Sequence, residues 1–201
     1  PFPNPNNVWR DISMDFISGL PNCKGKYVIL VVMDRLSKYA HFIALGHPYT
    51  ATMVAQEFVE HVFKLHGMPS TIVSDRDTVF LSTFWKEFFK LHSLKLCMSS
   101  GYHPQSDGQT EVVNRGLETY LRCFTSCQPK KWLYRLPWAE WSYNSSVHNS
   151  SRFFPFEVVY RFPPPHIASY EKGIAKLDIV EQGLLARDNL LAMLKTNLLV
   201  A

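Results

Sequence analysis

Residues 11–33 read DISMDFISGLPNCKGKYVILVVM, and this stretch decides the fold class. Two runs rich in β-branched and aromatic residues, 11–20 and 27–33, flank a turn-forming stretch that contains Gly25. A third run of the same kind, 39–45, follows after a short connection. Three short strands with short connections predict an antiparallel meander.

Beyond residue 45 the hydrophobic pattern changes its period. Apolar residues between 54 and 65 recur at helical spacing, with Thr50 or Thr52 as the N-cap and Gly67 at the end of the helix. A strand, a helix and a strand are then predicted in turn, over residues 71–74, 84–91 and 94–98. This alternation predicts parallel strands with helices packed across the sheet.

The second half of the chain is predicted to be mainly helical. A loop over residues 99–108 precedes a long helix, and an aromatic helix with Pro137 near its first turns covers residues 132–143. Residues 153–165 are rich in proline and predict an irregular segment, and 177–199 has the pattern of an amphipathic helix.

The composition is that of a folded protein with one main core. Of its 201 residues, 46% are hydrophobic and 19% are charged, and the net charge of +4 is compatible with a polyanionic partner without proving one. No apolar run approaches the roughly 20 residues that a membrane span requires, and no secretion signal is present, so we expect no membrane partner. Because the chain begins at Pro1 rather than at a methionine, we expect a piece of a longer polypeptide.

One acid lies in the middle of the first apolar strand. Side chains alternate along a strand, so Asp15 shares a face with Ser13 and Ile17, opposite to Met14. Asp11, at the start of the strand, is the alternative functional acid. Taken alone, Asp15 is equally well explained as a hydrogen-bonded structural residue.

Two further acids lie where ligands are commonly bound. Asp75 ends the predicted strand 71–74, and open α/β sheets bind ligands beyond the carboxyl ends of their strands. Asp77 competes for that role, and an aspartate there can also simply form a turn. Glu111 lies in the first turn of the long helix, where an acid also stabilises the helix. Between Asp75 and Glu111 there are 35 residues, and between Asp15 and Asp75 there are 59.

These three acids together suggest a metal site. Carboxylates that converge in a pocket of low dielectric constant repel one another unless cations neutralise them. Oxygen ligands suit Mg²⁺ or Mn²⁺. Two such ions, about 3.5–4 Å apart, can activate an attacking oxygen and stabilise a leaving oxygen during displacement at phosphorus.

Several motifs resemble the integrase of gypsy-type long-terminal-repeat retrotransposons. The motifs that resemble this family are ISMDFI (12–17), DRLSKYAHF (34–42), HPYTA (47–51), VSDRD (73–77) and YHPQSDGQTE (102–111). The 35-residue spacing matches the DD35E arrangement of that family. The likeness extends over residues 9–165.

The resemblance implies a fold and an activity. The implied fold is α/β and ribonuclease-H-like, with a five-stranded mixed sheet and helices on both faces. Residues 1–10 would be an extended lead-in, 11–165 the integrase catalytic core, and 166–201 a linker with a C-terminal helical extension. The implied enzyme is a DNA integrase, a polynucleotidyl transferase that processes the 3′ ends of element DNA and joins them to target DNA.

The resemblance also assigns residues. By position, Asp15, Asp75 and Glu111 take the catalytic and metal-binding roles, with two Mg²⁺ or Mn²⁺ ions. Asp34 and Asp77 do not fall on the motif acids, so we expect them to be structural or supporting.

The loop 101–109 would lie over the metals and guide the DNA end. Contacts to DNA are expected from polar residues of this loop and the following helix, with ordinary solvation as the alternative: Tyr102, Gln105, Gln109, Asn114 and Arg115. The expected partners are double-stranded DNA, from element ends and target, and further copies of the chain in a dimer or larger assembly. The expected location is the nucleus, after assembly in the cytoplasm.

Two other functions are also compatible with the sequence. A non-catalytic, domesticated DNA-binding or assembly module would keep the fold and dimerise through the aromatic helix around Trp132, Trp138 and Trp141, although core packing explains these tryptophans equally well. A ribonuclease H acting on RNA in hybrids would use a similar fold and similar ions.

Overall fold

The computed structural model describes residues 6–74, 82, 85, 95–98, 129–148, 152–165 and 168–200. Its strands are β1 (Asp11–Ile17), β2 (Lys26–Asp34), β3 (Ala40–Gly46), β4 (Thr71–Ser74) and β5 (Lys95–Met98). Its helices are α1 (Ala51–Phe58), α2 (Lys64–His66), α3 (Trp132–Asn144), α4 (Pro155–Tyr160) and α5 (Asp178–Val200). A π-helical turn, Val59–Phe63, joins α1 to α2, and a 3₁₀ turn, Pro129–Lys131, precedes α3.

The strands form one mixed sheet in the order β3-β2-β1-β4-β5. β2 pairs antiparallel with both β1 and β3, and β4 pairs parallel with β1 and with β5. The predicted antiparallel meander is therefore confirmed, and so is the predicted parallel pairing. This order places β1 at the centre of the sheet.

Both faces of the sheet are covered by helices. The burial of β2 reflects this coverage, because no residue from Val28 to Met33 is more than 4% exposed. Alternate residues of the strand enter two different cores. The first core packs against α1 and α4, and the second packs against α3. Full burial of one such aliphatic side chain contributes about 1.5–3 kcal/mol to folding.

The helical segment that starts with α1 begins and ends at residues that the pattern indicated. Of the two candidate N-caps, Thr50 is the one used, since its Oγ1 accepts a hydrogen bond from the Met53 N–H at 3.3 Å. Gly67 ends the helical segment with a φ of +79°, a conformation that glycine adopts without strain.

The tryptophans of α3 pack mainly into the protein. Trp132 is 1% exposed, and its Nε1–H donates a hydrogen bond to the Pro21 carbonyl at 2.7 Å. Trp138 and Trp141 are partly buried against the second and the first core, respectively. The interpretation of these residues as core residues is confirmed.

Two expected features differ from the structure. The segment 153–165 was predicted to be irregular, but it contains α4. Pro155 occupies the first turn, where its missing N–H costs nothing, and Phe156 anchors the helix in the first core. β1 also ends at Ile17, three residues earlier than predicted, because the chain turns at Gly19 with a φ of +79°.

Some predicted elements lie outside the described residues. They are the helix over 84–91, apart from the buried Trp85, the loop over 99–108 and the long helix that follows it. Within the described part of the chain, no helix combines the length and the apolarity needed to cross a membrane.

Asp34 is a structural residue at the end of β2. Its fully buried carboxylate accepts hydrogen bonds from the Trp9 N–H at 2.9 Å, from the Ser37 N–H at 2.8 Å and from the Ser37 hydroxyl at 2.5 Å. The turn from β2 to β3 and the start of the chain are therefore attached to one carboxylate. Asp34 belongs to the fold rather than to the metal-binding set.

Candidate active site

Asp15 lies on the central strand in a fixed orientation. Its Cα is paired with Val31 of β2, and its Oδ1 accepts a hydrogen bond from the Phe16 N–H at 2.8 Å. The carboxylate is partly buried, so it is reachable from solvent while the strand holds it. A rigid, partly exposed carboxylate is the geometry that a metal ligand requires.

The predicted alternation along β1 is confirmed. Met14 and Phe16 contact the first core, and Ile17 contacts the second, which places Asp15 on the side of the second core. Ser13, on the same side, is 3% exposed, and its hydroxyl has no hydrogen-bond partner within the described part of the chain. Phe16 stacks on Tyr49 with ring centroids 5.0 Å apart, which holds the end of the strand.

The pairing of β1 with β4 points to the neighbour of Asp15. The parallel register runs from Asp11 beside Thr71 to Met14 beside Ser74. Asp15 is the next residue of β1. It therefore lies at the end of the sheet where β4 has its carboxyl end. In the sequence, Asp75 directly follows Ser74.

Asp11, the alternative acid, lies at the opposite end of β1. Asp11 precedes Asp15 by four positions along the strand, a distance of about 13 Å. Its backbone carbonyl accepts a hydrogen bond from the Arg35 N–H at 2.9 Å, beside the turn that follows β2. Asp11 is therefore remote from the end of the sheet at which Asp15 lies.

The remaining predicted site residues lie outside the described residues. These are the two acids Asp75 and Glu111 and the five candidate DNA contacts Tyr102, Gln105, Gln109, Asn114 and Arg115. Their roles stay predictions.

The family model for the integrase core domain matches residues 3–104, just over half of the chain. The chain belongs to this family. Among relatives, the Transposon Tf2-3 and Tf2-4 polyproteins of Schizosaccharomyces pombe (strain 972 / ATCC 24843) are each 37% identical over 164 residues. That match covers 82% of this chain but 12% of each polyprotein.

Solved integrases share the fold of this integrase core. The HTLV-2 integrase catalytic core domain in complex with magnesium, in its trimeric form, superimposes with a TM-score of 0.61 at 20% identity. The match covers 76% of this chain and 97% of that one. A chain of the simian T-cell lymphotropic virus intasome in complex with the PP2A regulatory subunit B56 gamma superimposes with a TM-score of 0.65 at 18% identity. That match covers 84% of this chain and 60% of the other. The predicted α/β, ribonuclease-H-like fold with a mixed sheet is therefore confirmed.

A partly buried polar cluster was not predicted from the sequence. His41 Nε2 lies 2.9 Å from His66 Nε2, and His41 Nδ1 lies 3.1 Å from Glu140 Oε1. The other oxygen of Glu140 accepts a hydrogen bond from the Phe42 N–H at 2.7 Å. The Trp9 indole stacks on the His66 ring with centroids 3.8 Å apart. The cluster joins β3, α2 and α3 to the start of the chain.

The His66 imidazole should make the stability of the fold depend on pH. Burial, and then the neighbouring His41, lower the pKa of His66 from 6.5 to about 4. Between pH 6.5 and pH 4, His66 is therefore protonated in the unfolded chain but mostly neutral in the folded chain. This contribution to stability is complete above pH 6.5 and is lost as the pH falls towards 4. Allowing for partial solvent screening, we expect a loss of about 1–2 kcal/mol.

Urea denaturation of the wild type and of His66→Gln at pH 7 and at pH 4.5 measures this effect. The wild type should lose more stability than the variant between the two pH values. Some dependence should remain in His66→Gln, because burial also lowers the pKa of His148. Equal losses in the two proteins would contradict the assignment.

Proposed function

We propose that the chain is the catalytic core of a DNA integrase. In this proposal it is a polynucleotidyl transferase that processes the 3′ ends of element DNA and joins them to target DNA. The observation that carries the proposal is the position of Asp15. The last residue pair between β1 and β4 is Met14 with Ser74, and Asp15 and Asp75 are the residues that follow these two in the sequence. Membership of the integrase core domain family supports it.

We propose that Asp15, Asp75 and Glu111 hold two divalent cations, Mg²⁺ or Mn²⁺. The donor set fits such ions, because Asp15 offers a hard carboxylate whose orientation is set by the Phe16 N–H. The HTLV-2 integrase catalytic core that shares this fold is described in complex with magnesium. When bound, such ions supply Lewis-acid stabilisation of the charge that develops on phosphate oxygens.

The other elements of the chain would serve substrate placement. The rigid central strand keeps the Asp15 carboxylate in place while DNA binds. We propose that Tyr102, Gln105, Gln109, Asn114 and Arg115 contact that DNA. In the proposed division, residues 1–10 are a lead-in, 11–165 the catalytic core, and 166–201 a linker with a helical extension.

The proposed partners are double-stranded DNA and further copies of the chain, and the proposed location is the nucleus. Related solved structures are described as trimeric and dimeric forms and as an intasome, which supports an assembly of several copies. The chain spans 12% of the length of its polyprotein relatives. The proposed activity is therefore that of the integrase core, and not that of a complete polyprotein.

A disintegration assay on branched DNA tests the proposed function. We expect the 201-residue chain to resolve the branched substrate in Mn²⁺ or Mg²⁺ and to lose that activity when EDTA is added. Undiminished activity in EDTA would refute the role of the cations. Degradation of an RNA:DNA hybrid without action on branched DNA would instead indicate a ribonuclease H. Absence of both activities, together with no Mn²⁺ binding in a titration, would indicate a non-catalytic module.

A further inference from the structure

Ser13 is a buried polar residue on the face of β1 that carries Asp15. It is 3% exposed, and its hydroxyl makes no hydrogen bond with any residue that the structure describes. Its neighbours across the sheet are Met33 on β2 and Val73 on β4, which are 0% and 1% exposed. Neither side chain is a strong hydrogen-bond partner, so the hydroxyl lies between two apolar groups.

The position of Ser13 in the sheet conflicts with local stability. β1 pairs with β2 on one side and with β4 on the other, so its backbone N–H and C=O groups are used by the two ladders. A buried hydroxyl without a partner lowers stability, and an alanine at this position would avoid that cost. Such groups are uncommon in folded proteins, and conflicts of this kind are expected mainly at functional sites. Ser13 is therefore a candidate functional residue.

Asp15 is the group of the candidate active site that lies nearest to Ser13 along the strand. Alternate residues of a strand are about 6.6–6.8 Å apart and point to the same face. A serine hydroxyl and a carboxylate at this spacing can be joined by a direct hydrogen bond or through one water. Asp11 lies equally far in the other direction, but it is at the start of β1, remote from the carboxyl end of β4.

The Asp15 carboxylate already receives one hydrogen bond from its own strand. The Phe16 N–H donates to Oδ1 at 2.8 Å, from the residue that follows Asp15. A donor at Ser13 would reach the carboxylate from the preceding part of the strand, so the two donors would hold it from both sides. Carboxylates that bind metals are themselves held by hydrogen bonds, and loss of such a supporting donor typically lowers metal affinity about 10- to 100-fold.

We propose that Ser13 is a positioning residue of the candidate active site. Its hydroxyl donates a hydrogen bond, directly or through one water, to the Asp15 carboxylate when that carboxylate holds a divalent cation. The inference rests on the proposed function, because it requires Asp15 to be a cation ligand. Ser13 itself contacts neither the cation nor DNA. The serine therefore lowers the stability of the cation-free chain and raises its affinity for the cation.

Mn²⁺ binding and urea denaturation of the 201-residue chain test this proposal. Ser13→Ala should raise the Mn²⁺ dissociation constant at least about tenfold, as measured by electron paramagnetic resonance of the free ion. Without Mn²⁺, the urea midpoint of the same variant should be no lower than that of the wild type, because a buried hydroxyl without a partner is removed. Weaker Mn²⁺ binding at undiminished stability separates positioning from a general loss of structure.

Two further variants separate the hydroxyl from the size of the side chain. Ser13→Cys keeps the size but supplies only a weak donor, so it should weaken Mn²⁺ binding as Ser13→Ala does. Ser13→Thr keeps the hydroxyl and should retain Mn²⁺ affinity within about threefold of the wild type. Ser70→Ala is the matched control and should leave the affinity unchanged, because Ser70 is an exposed serine just before β4, at the other end of the sheet.

Disintegration kinetics give a second measurement. In single-turnover assays, Ser13→Ala should raise the Mn²⁺ concentration for half-maximal rate about tenfold, while the rate at saturating Mn²⁺ falls less than about threefold. Asp11→Asn should not change the effect of Ser13→Ala. If it abolished that effect, the hydroxyl would serve Asp11 and the proposal would be wrong.

The Mn²⁺ titration distinguishes failure of this proposal from failure of the proposed function. Wild-type affinity in Ser13→Ala, together with lost affinity in Asp15→Asn, would overturn the role of Ser13 and leave the proposed function intact. Wild-type affinity in Asp15→Asn would overturn the proposed metal site and this inference with it. A lower urea midpoint with unchanged Mn²⁺ affinity would make Ser13 an ordinary structural residue.

Discussion

Asp15→Asn and Asp75→Asn are each expected to reduce metal-dependent disintegration of branched DNA at least about 100-fold, since loss even of residues that only support a metal ligand costs 10–100-fold. The amide keeps the shape of the carboxylate but removes the negative charge that would hold the cation. For Asp15 the effect should be local, because the strand still supplies the Phe16 N–H and the Val31 pairing. The assay is single-turnover cleavage at saturating Mn²⁺.

The chain offers a matched control for Asp15→Asn. Asp11→Asn changes the acid at the far end of the same strand. It should retain activity within about threefold, because a carboxylate about 13 Å away contributes little to cation binding. If Asp11→Asn were as inactive as Asp15→Asn, the assignment of the strand acid would be wrong.

Asp34→Ala is expected to lower the free energy of unfolding by about 2–4 kcal/mol. The substitution leaves three buried donors without their acceptor: the N–H groups of Trp9 and Ser37 and the Ser37 hydroxyl. It also releases the start of the chain from the turn between β2 and β3. The loss is a large fraction of the stability of a typical domain.

Equilibrium urea denaturation at pH 7 measures this loss. Asp178→Ala is the control, because Asp178 is an exposed acid in the first turn of α5 and should contribute no more than about 1 kcal/mol. A midpoint for Asp34→Ala equal to that of the wild type would show that the buried hydrogen bonds do not stabilise the turn.

The strands and first helix could be predicted because their signals are local. Alternation along residues 11–17 places Asp15 on the correct face of β1, and Thr50 and Gly67 identify the limits of the helical segment. Helix α4 could not be predicted in this way, because the segment 153–165 is rich in proline and aromatic residues and shows no helical period. It is stabilised by burial of Phe156 in a core built by distant strands.

The hydrogen-bonded clusters around His41 and Asp34 could not be predicted from local sequence pattern. His41 lies 25 residues from His66 and 99 residues from Glu140 in sequence, so only the folded chain brings them together. The buried role of Asp34 likewise depends on Trp9, 25 residues earlier. For the candidate site, alternation predicted the face of Asp15. Its association with Asp75 and Glu111 came from spacing and family resemblance.

A crystal structure of the chain soaked in MnCl₂, with anomalous data at the manganese edge, shows whether the three acids share a metal site. We expect an anomalous peak within metal-ligand distance, about 2.0–2.3 Å, of carboxylate oxygens from Asp15 and Asp75, with Glu111 completing a pair of sites. A peak that excludes Asp15, or carboxylates facing different surfaces in a well-ordered map, would contradict it.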